Sequence, residues 1–173
     1  MSGMIWPDAE RKLAALGKAE CIPYALSTVA TQTPETIAKH TGDNAWFQLY
    51  PPHDPDIRTD MLTRTMDAGY STLVLTADVP VASRRERQRR GGLSLPPKMT
   101  PRILAQIALR PIWALGTLRA GKPRMRFIES YTGAVSAAAS TKHMGYLIRT
   151  SPDWDYLRWI REAWKGPIIV KGV

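Results

Sequence analysis

Residues 72–78 read TLVLTAD, and this stretch decides the fold. Leu73, Val74 and Leu75 run together with no polar alternation. A strand with one wet face alternates apolar and polar residues, whereas a strand covered on both faces reads as a continuous apolar run. Three other stretches share the pattern: residues 21–27 (CIPYALS), 45–50 (AWFQLY) and 167–173 (PIIVKGV). Working outward from them, helix signals fill the gaps. Residues 7–17 predict a helix with Pro7 in its first turn and Leu13, Ala14 and Leu16 facing inward. Thr33 caps and Pro34 opens a second helix that stops near Gly42. Asp54 or Asp56 starts a third, with the stripe Ile57, Met61, Leu62 and Met66 and a stop at Gly69. Ser151 and Pro152 open the last, with the stripe Trp154, Leu157, Ile160 and Trp164 and a stop at Gly166.

Strands alternating with helices imply an α/β fold with a parallel sheet. Right-handed crossovers then leave a doubly wound open sheet or a (β/α)8 TIM barrel. The polar residues fall late in each strand: Ser27, Gln48 with Tyr50, Thr76 with Asp78, and Lys171. Function at the C-terminal strand ends suits both folds and is the rule in barrels. A typical barrel takes about 250 residues. These 173 residues offer four strands, so the expectation is about half a barrel, begun in mid-fold and cut at both ends.

One segment breaks the rhythm. Residues 83–149 contain no clean strand and are interrupted by Pro96, Pro97, Pro101, Pro111 and Pro123. A loop this long in a compact domain is a lid, an insertion or disorder. The chain therefore reads as one domain, 1–173, with 84–149 as a variable lid or insertion. Within it, residues 100–118 are able to form a helix with Ile103, Leu104, Ile107 and Ala108 on one face.

Composition excludes several classes. Hydrophobic residues make up 44% and charged residues 23%, as in globular domains. A single cysteine, Cys21, allows no internal disulfide and suits a reducing compartment. No apolar stretch approaches the length of a membrane span, and the N-terminus lacks the pattern of a secretory signal. The net charge of +9 is concentrated at Arg84, Arg85, Arg87, Arg89 and Arg90, and again from Arg102 to Arg126. Single-stranded nucleic-acid binding would need aromatics interleaved with the basic run, and residues 84–90 hold none, so no nucleic-acid partner is expected.

Gly116 and Gly121-Lys122 have the spacing of a phosphate loop, but Pro123 stands where Ser or Thr should hold magnesium. His40, His53 and His143 lack metal-ligand spacing and read as surface residues. Cys21 reads as a structural thiol opening a buried strand. Arg85 is the best candidate for a bidentate carboxylate site, because it lies a short step beyond the Thr76–Asp78 strand end. Gln48 and Tyr50 share one face of their strand, and Thr76 and Asp78 repeat the pattern. Lys171 lies on an otherwise apolar strand, and a buried lysine needs an anion or electron-rich partner. Each of these fits an internal polar network or a ligand site; four strand ends turned to one rim favour a site.

At these residues the sequence resembles the FMN-dependent α-hydroxy-acid oxidising family, which includes glycolate oxidase, lactate oxidase, L-lactate dehydrogenase and mandelate dehydrogenase. The resemblance rests on GMIWPDAE, IPYALSTVAT, WFQLY, GYSTLVLTADVPVASRRERQRRGG, LPP and DWDYLRWIREAWKGPIIVKGV, in the family's order. It implies strands two to five of a (β/α)8 barrel, a long insertion after the Thr76–Asp78 strand, and FMN at the C-terminal mouth. It matches Ser27, Gln48, Thr76 and Lys171 to flavin contacts, with Lys171 near the electron-accepting ring. Tyr50 matches a tyrosine that hydrogen-bonds substrate, and Asp78 the aspartate that orients the catalytic histidine. Arg85 matches a basic residue on the substrate's carboxylate side. The implied activity is oxidation of an L-2-hydroxy acid such as L-lactate to the 2-oxo acid. The acceptor would be oxygen, a quinone or a cytochrome, in a homo-oligomer.

The departures matter equally. The family's Ser-Asn-His-Gly type motif, with the catalytic histidine, follows the KGV strand and lies outside these residues. The chain alone is therefore expected to be inactive. Val29 stands where some members carry an aromatic residue, which leaves the substrate side-chain pocket open. The alternative is a non-catalytic half-barrel that binds FMN weakly or self-associates. A peripheral membrane contact through 98–126 is also implied, on the inner face of the membrane of a cytoplasmic protein. Trp113, Ile112 and Leu115 beside arginines fit an interfacial helix, and a lid over the site fits them equally.

Overall fold

The computed structural model describes residues 2–78, 90, 100–121, 124–132 and 150–173. Arg85 and His143 lie outside the described residues, as does most of the 84–90 arginine run. The elements begin with α1 (Ser2–Ile5), α2 (Ala9–Ala19), β1 (Tyr24–Ser27), α3 (Pro34–Ala38) and β2 (Ala45–Leu49). Then come α4 (Pro55–Asp67) and β3 (Thr72–Thr76). The middle segment contributes α5 (Pro101–Ala108), α6 (Pro111–Ala120) and α7 (Arg126–Thr132). The chain closes with α8 (Trp154–Ala163) and β4 (Ile168–Lys171).

All four strands are parallel and ordered β1-β2-β3-β4. Sequential parallel neighbours joined by helical crossovers form a partial α/β barrel. The register pairs Ser27 with Gln48, Gln48 with Val74, and Thr76 with Lys171. Ser27, Gln48, Thr76 and Lys171 therefore project from the same face, because side chains alternate along a strand. The opposite face carries Leu26, Ala45, Phe47, Leu49, Leu73 and Leu75, all essentially sealed from solvent. The helices pack on it through Ala14, Ile37, Met61, Leu62, Phe127, Ile160 and Trp164. The sheet is thus covered by helices on one face, and the other, with Gln48 and Val74 half-buried, is the one that Ser27, Gln48, Thr76 and Lys171 occupy.

Local signals set the helix starts. The Thr33 side chain accepts from the Thr36 amide, and the Asp54 side chain accepts from Asp56 and Ile57, each followed by proline at the first helical position. Asp153 caps α8 by accepting from Tyr156. Three inward stripes differ from the sequence reading. On α2, Leu13 and Leu16 are exposed, and the buried face is Glu10 and Ala14, one helical step apart. On α4, Met66 sits at the margin of the stripe. On α8, Trp154 is exposed and Tyr156 takes its place in the core. Hydrophobicity alone mis-aims such stripes when a polar residue is the one with buried partners. Cys21 also departs from expectation: it is exposed, with φ 56, in the turn before β1 rather than inside a strand.

The middle segment holds more core than a lid would. Residues 100–118 form two helices rather than one, because Pro111 cannot continue α5 and instead opens α6. Gly116 lies inside α6 and Gly121 ends it, so the phosphate-loop spacing builds no loop there. After them α7 returns to the sheet. Phe127 is fully buried and meets Phe47 edge-on with ring centroids 5.7 Å apart. Arg64 of α4 lies over Phe127 and hydrogen-bonds Ser130 and Tyr131, which pins α7 in place.

Candidate active site at the strand ends

The C-terminal ends of β1, β2 and β3 are joined by side chains. Ser27 Oγ donates to Gln48 Oε1 at 2.5 Å, and Gln48 Nε2 donates to Thr76 Oγ1 at 2.8 Å. The carboxamide is thereby fixed in one orientation between two hydroxyls. Thr76 is 1% exposed, and its hydroxyl still has a proton to donate after accepting from Gln48. A hydroxyl and an amide held this way are preorganised, since neither must be reoriented when a polar ligand arrives.

Beyond the third link the row becomes charged. Lys171 Nζ lies 3.3 and 3.5 Å from the two Asp78 carboxylate oxygens. The main chain fixes this pair, because the Ala77 amide donates to the Lys171 carbonyl at 2.8 Å. Gly172 follows with φ +88, and a Cβ there would fall 2.4 Å from Asp78 Cγ. Glycine is needed at that position for both reasons. Within these residues the Lys171 side chain is 55% exposed and that of Asp78 45%. Among the described strands β4 pairs with β3. An ion pair this exposed contributes less than about 1 kcal/mol to stability, which leaves both groups free for chemistry at little cost to the fold.

Tyr50 follows β2 and is half-buried. Its ring packs with Val29, Ile128 and Met125 in a small apolar cluster. Among the described residues its hydroxyl has no hydrogen-bond partner. The structure thus brings Ser27, Gln48 and Thr76 into one bonded row and Lys171 and Asp78 into an adjoining pair. His40 and His53 are apart from both, near the end of α3 and in the exposed turn before α4.

Sequence reasoning missed two residues that shape this rim. Thr28 is fully buried and bridges β1 to the chain before Tyr50. Glu10, 1% exposed on α2, grips the loop after β1: its carboxylate accepts from the amides of Gly3, Thr31 and Gln32 and from Thr31 Oγ1. A Cβ on Gly3 would lie 1.9 Å from Thr31 Oγ1, so only glycine admits that approach. The available signal was Glu10 at the helix step from Ala14, on a face too short of apolar residues to be otherwise buried.

A profile of the family described as FMN-dependent dehydrogenase matches residues 1–173. The chain belongs to this family. It is 32% identical to (S)-mandelate dehydrogenase of Pseudomonas putida over 174 residues, covering 100% of the chain and 44% of that protein. It is 36% identical to L-lactate dehydrogenase of Caulobacter vibrioides (strain NA1000 / CB15N) over 177 residues, covering 100% of the chain and 45% of that protein. The chain therefore spans less than half the length of the curated relatives it matches. Among solved structures, that of the monotopic membrane protein (S)-mandelate dehydrogenase superposes with a TM-score of 0.89 at 32% identity, over 100% of this chain and 46% of that one. The four strands are accordingly about half of the barrel of an FMN-dependent dehydrogenase.

The donor set also fits the cofactor the family name implies. A flavin's pyrimidine edge alternates carbonyls with a ring N–H, and Gln48 and Thr76 offer both donors and acceptors on one line. A ring that gains electrons calls for a cation, and Lys171 supplies one beside that line.

Proposed function

We propose that the protein to which these residues belong oxidises an L-2-hydroxy acid to the 2-oxo acid with FMN at this rim. The observation that carries the reading is the bonded row Ser27–Gln48–Thr76 with Lys171 beside it, on the ends of four adjacent parallel strands. FMN would supply the redox chemistry, taking two electrons from the substrate. The chain's own residues bind and orient. Ser27, Gln48 and Thr76 would hold the flavin's polar edge, and Lys171 would stabilise negative charge there. The Tyr50 hydroxyl, without a hydrogen-bond partner among the described residues, would meet a substrate oxygen. Arg85 would hold the substrate carboxylate through two parallel hydrogen bonds, and Asp78 would orient a histidine serving as base. Residues 84–149 would form an insertion beside the mouth. (S)-Mandelate and L-lactate, named in the relatives above, are the first substrates to try, with oxygen, quinone and cytochrome as acceptors.

The test is flavin retention. The purified chain is loaded with FMN, freed of excess and scanned in the visible range. Retained flavin, lost in Gln48→Leu and weakened in Lys171→Met, is expected. No difference between these variants and the unaltered chain would refute the assignment.

A second reading concerns location, and one surface favours it. On α5, on α6 and between them the side chains of Leu104, Leu109, Ile112, Leu115 and Leu118 are all more than half exposed, among Arg102, Arg110 and Arg119. Among the described residues no helix is long and apolar enough to cross a membrane. Exposed apolar residues flanked by arginines instead suit a helix lying in an anionic lipid surface. The protein would then be peripheral on the membrane. Co-sedimentation with vesicles containing phosphatidylserine, lost on deleting 98–126, is the expected result; retained sedimentation would refute it.

A further inference from the structure

We propose that Thr28 is the positioning residue for Tyr50, holding the mouth of the site through the main chain. The inference rests on the reading of Tyr50 as a substrate contact. A parallel ladder continuing past Ser27 and Gln48 would give the Tyr50 amide to the Thr28 carbonyl. The Thr28 amide does make its ladder bond, donating to the Gln48 carbonyl at 2.9 Å. The Tyr50 amide instead donates to Thr28 Oγ1 at 3.0 Å, and the same hydroxyl donates to the Gln48 carbonyl at 2.6 Å. One side-chain oxygen thus replaces a main-chain carbonyl and adds a second bond to the carbonyl of Gln48.

The substitution has a geometric consequence. With its carbonyl released from the ladder, β1 turns at once, and the Ala30 amide closes on the Ser27 carbonyl at 2.9 Å. The turn returns Val29 against Tyr50. The far side of the loop is gripped by Glu10 at Thr31 and Gln32. A five-residue loop, 28–32, is therefore fixed at both ends, and Tyr50 leaves β2 in a direction set by Thr28. Only a β-hydroxyl does this: serine keeps the oxygen, and valine keeps the shape without it. Thr28 touches neither flavin nor substrate in this account; its hydroxyl acts through Tyr50, while the Thr28 amide keeps the Gln48 carbonyl in the ladder without it.

The experiment uses the 173-residue chain with Thr28→Val and Thr28→Ser. Amide hydrogen exchange is read residue by residue by NMR, and binding of FMN, then of pyruvate to the FMN-loaded chain, by fluorescence. In the unaltered chain the Tyr50 amide should exchange slowly. Thr28→Val should speed it by about tenfold, as for one lost buried hydrogen bond, while the Phe47 and Leu75 amides keep their protection. Thr28→Ser should restore it. Pyruvate affinity should fall by roughly tenfold in Thr28→Val and recover in Thr28→Ser, with FMN affinity unchanged. A Tyr50 amide that is unprotected in the unaltered chain, unaffected by valine or unrescued by serine would overturn the proposal. So would FMN and pyruvate affinities falling together. If Thr28→Val unfolds the chain, exposing Phe47 and Leu75 as well, the unaltered chain and Thr28→Ser decide. If the unaltered chain binds no FMN, the site reading fails while the exchange data still judge Thr28.

Discussion

Replacing Glu10 with glutamine tests how the loop after β1 is held. The side chain keeps its size, so no cavity opens, but one acceptor oxygen becomes a donor. That NH2 must face some of the four groups that, among the described residues, donate to the carboxylate: the amides of Gly3, Thr31 and Gln32 and the Thr31 hydroxyl. Thr31 and Glu10 are buried, so an abandoned donor finds no water readily. Leaving a buried donor unsatisfied costs about 1–3 kcal/mol. With the NH2 in place of Oε1 only the Gly3 amide of these four is abandoned, since the Thr31 amide also reaches Oε2, and one such loss gives about 2 kcal/mol. With a urea m-value of about 2 kcal/mol/M for a chain of this size, the unfolding midpoint should fall by roughly 1 M. The assay is urea denaturation followed by tryptophan fluorescence, with Glu20→Gln as control. Glu20 is exposed, so that change should stay within about 0.5 kcal/mol. A midpoint drop for Glu10→Gln no larger than the control's would refute the reasoning.

Three further outcomes can be checked in the same way. Phe127→Ala should cost about 3–5 kcal/mol in urea unfolding, because it empties a fully buried ring site between Phe47 and Tyr131; a smaller loss would mean α7 is not core. Burial, reinforced by the Glu10 charge and only partly offset by a hydrogen bond from Ser2, pushes Tyr24 up from 10.0 to about 12. Its contribution to stability is then full below pH 10 and declines as pH rises toward 12, since only the unfolded chain ionises in that window. Tyr24→Phe should make that alkaline decline in urea midpoints shallower, leaving the share of Tyr70, Tyr131 and Tyr156, which burial also raises. For Glu35, burial pushes the carboxyl up, but hydrogen bonds from Arg64 and Thr33 and the Arg64 charge outweigh it, and the group ends below its ordinary value. Its stabilisation is present above the unfolded carboxyl's range and lost as pH falls through the lowered folded value. Arg64→Met should remove that acid-side dependence, measured as urea midpoint against pH.

The strands, their parallel order and the row of polar strand ends were legible in the residues themselves. TLVLTAD, AWFQLY and PIIVK are apolar for a local reason, burial on a sheet, and local patterns survive in one dimension. Caps and stops at Thr33, Asp54 and Gly69 were legible for the same reason, because each acts on its own turn of helix. The candidate residues Ser27, Gln48, Thr76 and Lys171 could be named in advance because a parallel sheet puts strand ends at one rim.

What the sequence could not decide depended on partners distant along the chain. Glu10 is buried because Thr31 and Gln32 meet it, 21 and 22 residues away. α7 reads as part of a variable insertion, yet Phe127 belongs to the core through Phe47 and Arg64. Sequence by itself determined the elements, their alternation and the residues offered at the rim, since those follow from periodicity. Only the tertiary structure decided which carboxylate holds the loop, which helix seals the core and which hydroxyl carries Tyr50, since each depends on a contact between parts of the chain that periodicity does not relate.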